Sequence, residues 1–145
     1  MSLNQNKYGL QKGTVLYDAK FRFYNGGQAK KLLVLLNTPD LAKNEPYLVC
    51  KTTSNPKNKG RTPGCQYTQS LFFIEAGKDW FKYDTWLQLY EIYEFSAREF
   101  LQRKFKGYLE IKGKLKKRTI EEIKNCVTKL VDVSQYHQDL VKKDC

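Results

Sequence analysis

Up to about residue 95, apolar residues in this chain come in short runs and alternations; beyond it they recur three and four apart. The first pattern belongs to strands and the second to helices. Gly13 to Tyr17 reads as an opening strand. Lys20 to Tyr24 alternates basic and aromatic residues and breaks at Asn25-Gly26-Gly27, a turn signal. Leu32 to Leu36 is apolar without interruption, as expected of a central strand buried on both faces, inside a strand spanning Lys31 to Asn37. Asn37 to Pro46 has loop chemistry, and Pro46 to Thr53 resumes as a strand. Ser54 to Gly64, with two Pro, two Gly and two Asn, is a loop. Gln66 to Ala76 is expected to be strand, followed by a loop through Asp79, with Thr85 to Ile92 as the last long strand.

The helical part opens with two capping boxes. Ser96-Ala97-Arg98-Glu99 predicts a helix from Ala97 to about Lys104, with Phe95 and Phe100 at the staple positions. Tyr108 to Ile111 reads as a short strand. Thr119-Ile120-Glu121-Glu122 predicts a second helix, whose apolar face is Ile120, Ile123, Val127, Leu130 and Val131. Ser134 caps a short last helix, Gln135 to Lys142, expected to be peripheral. These elements predict an α+β domain, mainly β, with a small antiparallel barrel and helices at one side. The domain is expected over residues 7–133, with 134–145 as a peripheral helix and tail.

Charge narrows the class of partner. The net charge is +11 over 145 residues. The run 51–62 contributes +4 with no acid, whereas 63–100 sums to −3. Such a basic excess points first to nucleic acid and then to an anionic membrane surface. No stretch approaches the roughly 20 apolar residues of a membrane span, and Met1 to Gly13 lacks the apolar core of a signal peptide. Cys50, Cys65, Cys126 and Cys145 show neither a Cys-x-x-Cys pair nor zinc-type spacing with histidine. They read as reduced thiols of a cytoplasmic protein, a Cys50–Cys65 disulfide remaining open.

Candidate chemistry gathers where two strands meet. Lys30 and Lys31 open one apolar strand, and Thr52, Thr53 and Ser54 close the next. Antiparallel pairing sets the start of one beside the end of the other, so two cations and three hydroxyls are expected at one corner. That combination suits a phosphate. Lys51, Lys57, Lys59 and Arg61 would extend a basic channel along the loop. Lys20, Arg22 and Tyr24, with Phe21 and Phe23, offer cations and stacking rings on the other side. His137 lies in the terminal helix and is expected to be a surface residue.

The order of Gly13-Thr14-Val15, Lys31 to Asn37, Val49-Cys50-Lys51-Thr52-Thr53-Ser54, Asp84-Thr85-Trp86-Leu87-Gln88-Leu89 and Phe95-Ser96 resembles the MazF/PemK family of toxin endoribonucleases. The likeness runs from Lys12 to about Ser134. That resemblance implies the SH3-like barrel shared with the gyrase poison CcdB. It also implies metal-independent cleavage of single-stranded mRNA without a cofactor, a homodimer, and a small acidic antitoxin as partner. The family's catalytic Arg falls on Lys31 and its catalytic Thr on Thr53, with Ser54 beside it. Lys keeps the charge but not the bidentate fork of Arg. Tyr93 stands where the family often carries an Arg. Candidate acid/base groups are Asp84, Tyr93 or a desolvated Lys31. Two other readings remain open: a non-catalytic nucleic-acid-binding module, and a CcdB-like poison of a partner enzyme.

Overall fold

A computed structural model describes residues 10–143. The domain start expected at residue 7, the reading of residues 1–9 and the Cys145 thiol lie outside them. Seven strands and three α-helices follow in order: β1 (Thr14–Arg22), β2 (Gln28–Leu35), β3 (Tyr47–Thr53), β4 (Gly64–Gln66), β5 (Leu71–Ile74), β6 (Thr85–Phe95), α1 (Ala97–Phe105), β7 (Leu109–Lys114), α2 (Lys117–Val127) and α3 (Gln135–Lys142). This is the mainly-β α+β fold that the hydrophobic periods predict.

The strands form one antiparallel sheet in the order β4-β5-β6-β3-β2-β1-β7. It is not closed into a barrel, which corrects the expectation. β4 is three residues long, and Cys65 within it is bonded to Cys126 on α2. A helix, not β7, therefore lies against that end of the sheet.

β2 and β3 are central, and their side chains alternate between two cores. Val34, Leu48, Cys50, Leu87 and Leu89 pack under α2 and α3, with Ile123, Val127 and Leu130. Leu33, Leu35, Tyr47 and Val49 face the other way, onto Phe100 of α1. The unbroken run Leu32 to Leu36 is thus explained: each residue has a core to enter whichever way it points.

Three local expectations are corrected. Gln66 to Ala76 is not one strand, because the chain turns at residues 67–70 and Ser70 adopts φ 52°. The Ser70 hydroxyl donates to the Asp132 carboxylate at 2.5 Å, which holds that turn to the segment before α3. α2 starts at Lys117, before the expected box, and its cap comes from elsewhere. Asp79 accepts the Lys116 N–H at 3.1 Å and the Thr119 hydroxyl, so a loop carboxylate satisfies the helix end. α3 is not peripheral, since Leu140 and Val141 are buried in the larger core. The Ser96–Glu99 capping box of α1 forms as its sequence predicts.

The cysteines are also corrected. Cys65 and Cys126 form a disulfide across 61 residues, and Cys50 is a buried free thiol. Burial pushes that thiol up to about 12, so it is inert as a nucleophile.

α1 is anchored by charge as well as by Phe100. Asp18 on β1 is fully buried; its two carboxylate oxygens accept from Arg103 at 2.6 and 2.7 Å, and Oδ1 also accepts the Lys20 N–H at 2.9 Å. Arg103 also donates to the Lys20 carbonyl at 2.9 Å.

Candidate functional site

The register of the central strands brings the expected corner together. Leu33 pairs with Lys51 across β2 and β3, and the same step carried two residues on sets Lys31 opposite Thr53. Where these strands run out, a cleft of about 640 Å³ opens. Lys30, Lys31, Thr52, Thr53 and Ser54 line one side. Trp80, Lys82 and Tyr83, from the loop before β6, and Lys112 of β7 line the other. No carboxylate is among the lining residues.

Alternation splits the corner's chemistry. Lys30 and Thr52 lie on the side of the larger core, and Lys31 and Thr53 on the α1 side. Thr52 is buried, and its hydroxyl donates to the Leu32 carbonyl at 2.8 Å. It braces the strand pair and has no proton left for a ligand. The Thr53 oxygen accepts the Asn55 N–H at 3.2 Å, which orients the hydroxyl and leaves its own proton to donate. Ser54 is exposed, with no hydrogen bond among the described residues.

Lys31 is half-buried. Burial lowers its pKa below the usual lysine value, and the nearby Lys51 charge lowers it further. Neither Lys30, Lys31 nor Lys82 has a carboxylate partner among the described residues. Lys112 is paired with Glu110 at 3.0 Å. A second depression of about 390 Å³ shares Ser54, Lys82 and Tyr83 with the cleft and continues to Arg61. The two together run from the first half of β2 to the loop Ser54 to Gly64, with Asp84 paired to Arg61 at the far end.

Other sequence candidates are placed differently. Lys51 is not a free cation: it donates to Glu91 at 3.0 Å, with its ammonium 5.2 Å from the centre of the Phe23 ring. Arg61 pairs with Asp84 at 2.8 Å, and Asp84 also accepts the Ala76 N–H, so this carboxylate is committed to structure. Tyr93 is buried and donates to Glu91 at 2.8 Å. Burial and that hydrogen bond raise its pKa far above the neutral range, which removes it as a base. Lys57 and Lys59 stay on the exposed loop, the Lys59 ammonium donating to the Lys57 carbonyl. Lys20 lies 4.6 Å over the Tyr108 ring, and neither it nor Arg22 lines the cleft. His137 is half-buried, its Nε2 2.6 Å from Glu94, and does not line the cleft.

Four residues escaped sequence reasoning. Lys82 sits, beside Tyr83, in the stretch with net negative charge, so averaging hides its cation. Trp80 reaches the cleft because Gly113 of β7 has no side chain: a Cβ there would collide with the indole. The last is Glu91, in the three-residue bulge of β6 that separates the Cys50–Ile92 and Lys51–Gln88 pairs. Burial pushes its carboxyl up, but hydrogen bonds from Lys51 and Tyr93, with the Lys51 charge, outweigh this and leave it below its ordinary value. Among the described residues, no group of three His, Cys, Asp or Glu side chains gathers as metal ligands would. No described helix is long and apolar enough to cross a membrane.

Compared with models of known families, with curated proteins and with solved structures, the chain has no match.

Proposed function

We propose that the cleft binds the phosphate backbone of single-stranded RNA and cleaves it, in the manner of the MazF/PemK toxin endoribonucleases that the strand order resembles. One observation carries the reading: Lys30, Lys31 and Lys82, without carboxylate partners, share a carboxylate-free cleft with the available hydroxyls of Thr53 and Ser54. An anion is the ligand that such a cleft leaves unprovided for.

The chemistry is attack of a ribose 2′-oxygen on the adjacent phosphorus. The bond to the 5′-oxygen breaks, leaving a 2′,3′-cyclic phosphate and a 5′-hydroxyl. Lys31 and the hydroxyls of Thr53 and Ser54 would stabilise the charge that builds on the non-bridging oxygens. Lys31, its pKa lowered by burial, is the remaining base among the sequence candidates, since Asp84 and Tyr93 are both engaged; its neutral form takes the 2′-proton, the ammonium so formed faces the phosphate charge, and water protonates the departing 5′-oxygen. The SH3-like relationship, a homodimer, an acidic antitoxin and a cytoplasmic site of action belong to the same proposal.

That engagement favours a second reading, a module that binds RNA without cutting it. The test is incubation with single-stranded RNA in EDTA. The nuclease reading expects cyclic-phosphate ends that disappear in Thr53→Ala and Lys31→Ala. Binding without cleavage supports the second reading, and full activity in both variants removes the site.

A further inference from the structure

Among the exposed aromatic residues, Tyr24 is both open and fixed. It is 64% exposed, yet one face of its ring lies on Tyr93 at 4.1 Å with an interplanar angle of 13°. Its hydroxyl donates to the Ile92 carbonyl at 2.6 Å, a contact across 68 residues of sequence. Tyr93 beneath it is held in turn by an edge contact from Phe21 at 4.7 Å and by its bond to Glu91. An exposed ring that is already immobilised loses little rotamer freedom when something stacks on its second face.

The ring's surroundings narrow what that ligand is. Phe23, one residue earlier in the β1–β2 hairpin, lies 6.0 Å from the Lys31 ammonium and 5.2 Å from that of Lys51. The hairpin therefore runs from an open aromatic face to the cation at the cleft. A flat π-face joined to a phosphate is a nucleotide within a strand, and its base must be unpaired for a face to be free. The nearby carboxylates do not favour a cation instead, because Glu91 is held by Lys51 at 3.0 Å and Glu94 lies 2.6 Å from His137.

We propose that Tyr24 is a stacking platform for one unpaired nucleobase of the strand whose phosphate occupies the Lys31 cleft. The proposal rests on the RNA reading above and deepens it. It is tested by binding alone, with a short single-stranded 2′-O-methyl RNA carrying one 2-aminopurine, which lacks the nucleophile and cannot be cut. With the purine placed at successive positions, wild-type protein quenches its fluorescence at one of them. Tyr24→Ala binds about 5- to 150-fold more weakly and loses the quench. Tyr24→Phe, which keeps the ring, retains the quench. The same label in a duplex is not quenched. Thermal melts establish that each variant is folded, and Tyr24→Leu, which fills the same space without a ring, must lose the quench as Tyr24→Ala does. Salt-dependent binding with no quench at any position overturns the platform and leaves the RNA reading standing. Unchanged quench and affinity in Tyr24→Ala do the same. Failure to bind any single strand removes both.

Discussion

On one face of the sheet, Leu48, Cys50, Leu87 and Leu89 lie sealed under α2 and α3; on the other, the intervening residues Lys51, Thr53 and Gln88 of the same two strands lead toward solvent. Both faces start with comparable apolar pairs, Leu48 and Cys50 against Tyr47 and Val49. They part where α1 stops covering the sheet. α2 and α3 span the first face and the Cys65–Cys126 bond ties α2 to its far strand. α1 covers only the end at which Phe100 and the Asp18–Arg103 pair hold it. The uncovered strip is where Lys31, Lys51, Thr53 and the open Tyr24 ring collect. One set of strands thus provides stability through one side chain and chemistry through the next, because alternation sends neighbours to opposite faces.

The largest blow to this division is expected on the sealed face, from reduction of Cys65–Cys126. Freeing a 61-residue loop is worth about 4 kcal/mol on the chain-entropy account, so the melting temperature should fall while affinity for RNA, measured below the melt, holds. A drop in affinity under reducing conditions would show that the disulfide also shapes the basic loop that ends at Cys65. The anchor of α1 comes next. Asp18→Ala removes the carboxylate from Arg103, which is half-buried and keeps only the Lys20 carbonyl, and frees the Lys20 N–H; it should cost up to about 3 kcal/mol, read by denaturant unfolding. A loss under about 1 kcal/mol would mean that α1 is held by Phe100 alone.

Smaller effects belong to the cleft. Lys82→Ala should leave stability within about 0.5 kcal/mol and reduce the slope of log affinity against log salt by ~0.7, one phosphate contact. An unchanged slope would take Lys82 out of the interface. The smallest effect is one of pH. Lys31 is charged below its pKa, and burial lowers that pKa, so affinity should start to fall at a pH below the usual lysine range. Lys31→Arg stays charged throughout, and its binding should be flat across that window. Coincident pH curves for the two proteins would mean that Lys31 carries no share of the phosphate.

Local grammar was legible where it needed no partner. The Asn25-Gly26-Gly27 turn, the Ser96–Glu99 box and the Ser134 cap are each complete within a few residues, and each forms. The meeting of Lys31 with Thr53 was legible for a related reason: residues 36–46 between the two strands have loop chemistry and are too few for a crossover helix, which leaves antiparallel pairing as the simple outcome. The Thr119 box fails because Asp79, distant in sequence, competes for the same hydroxyl. Asp84 and Tyr93 fail as acid/base candidates because Arg61 and Glu91 reach them only across the fold.

The chain's own periodicity and charge determined a mainly-β domain followed by helices, a central strand buried twice over, and a basic corner with hydroxyls. Only the tertiary structure decided that the sheet stays open, which cysteines join, that α3 enters the core, and which lysines remain unpaired. The division has a physical cause. Backbone conformation and amphipathic period act over a few residues, whereas a salt bridge, a disulfide or a covered sheet edge depends on which distant surfaces the packed core brings into contact.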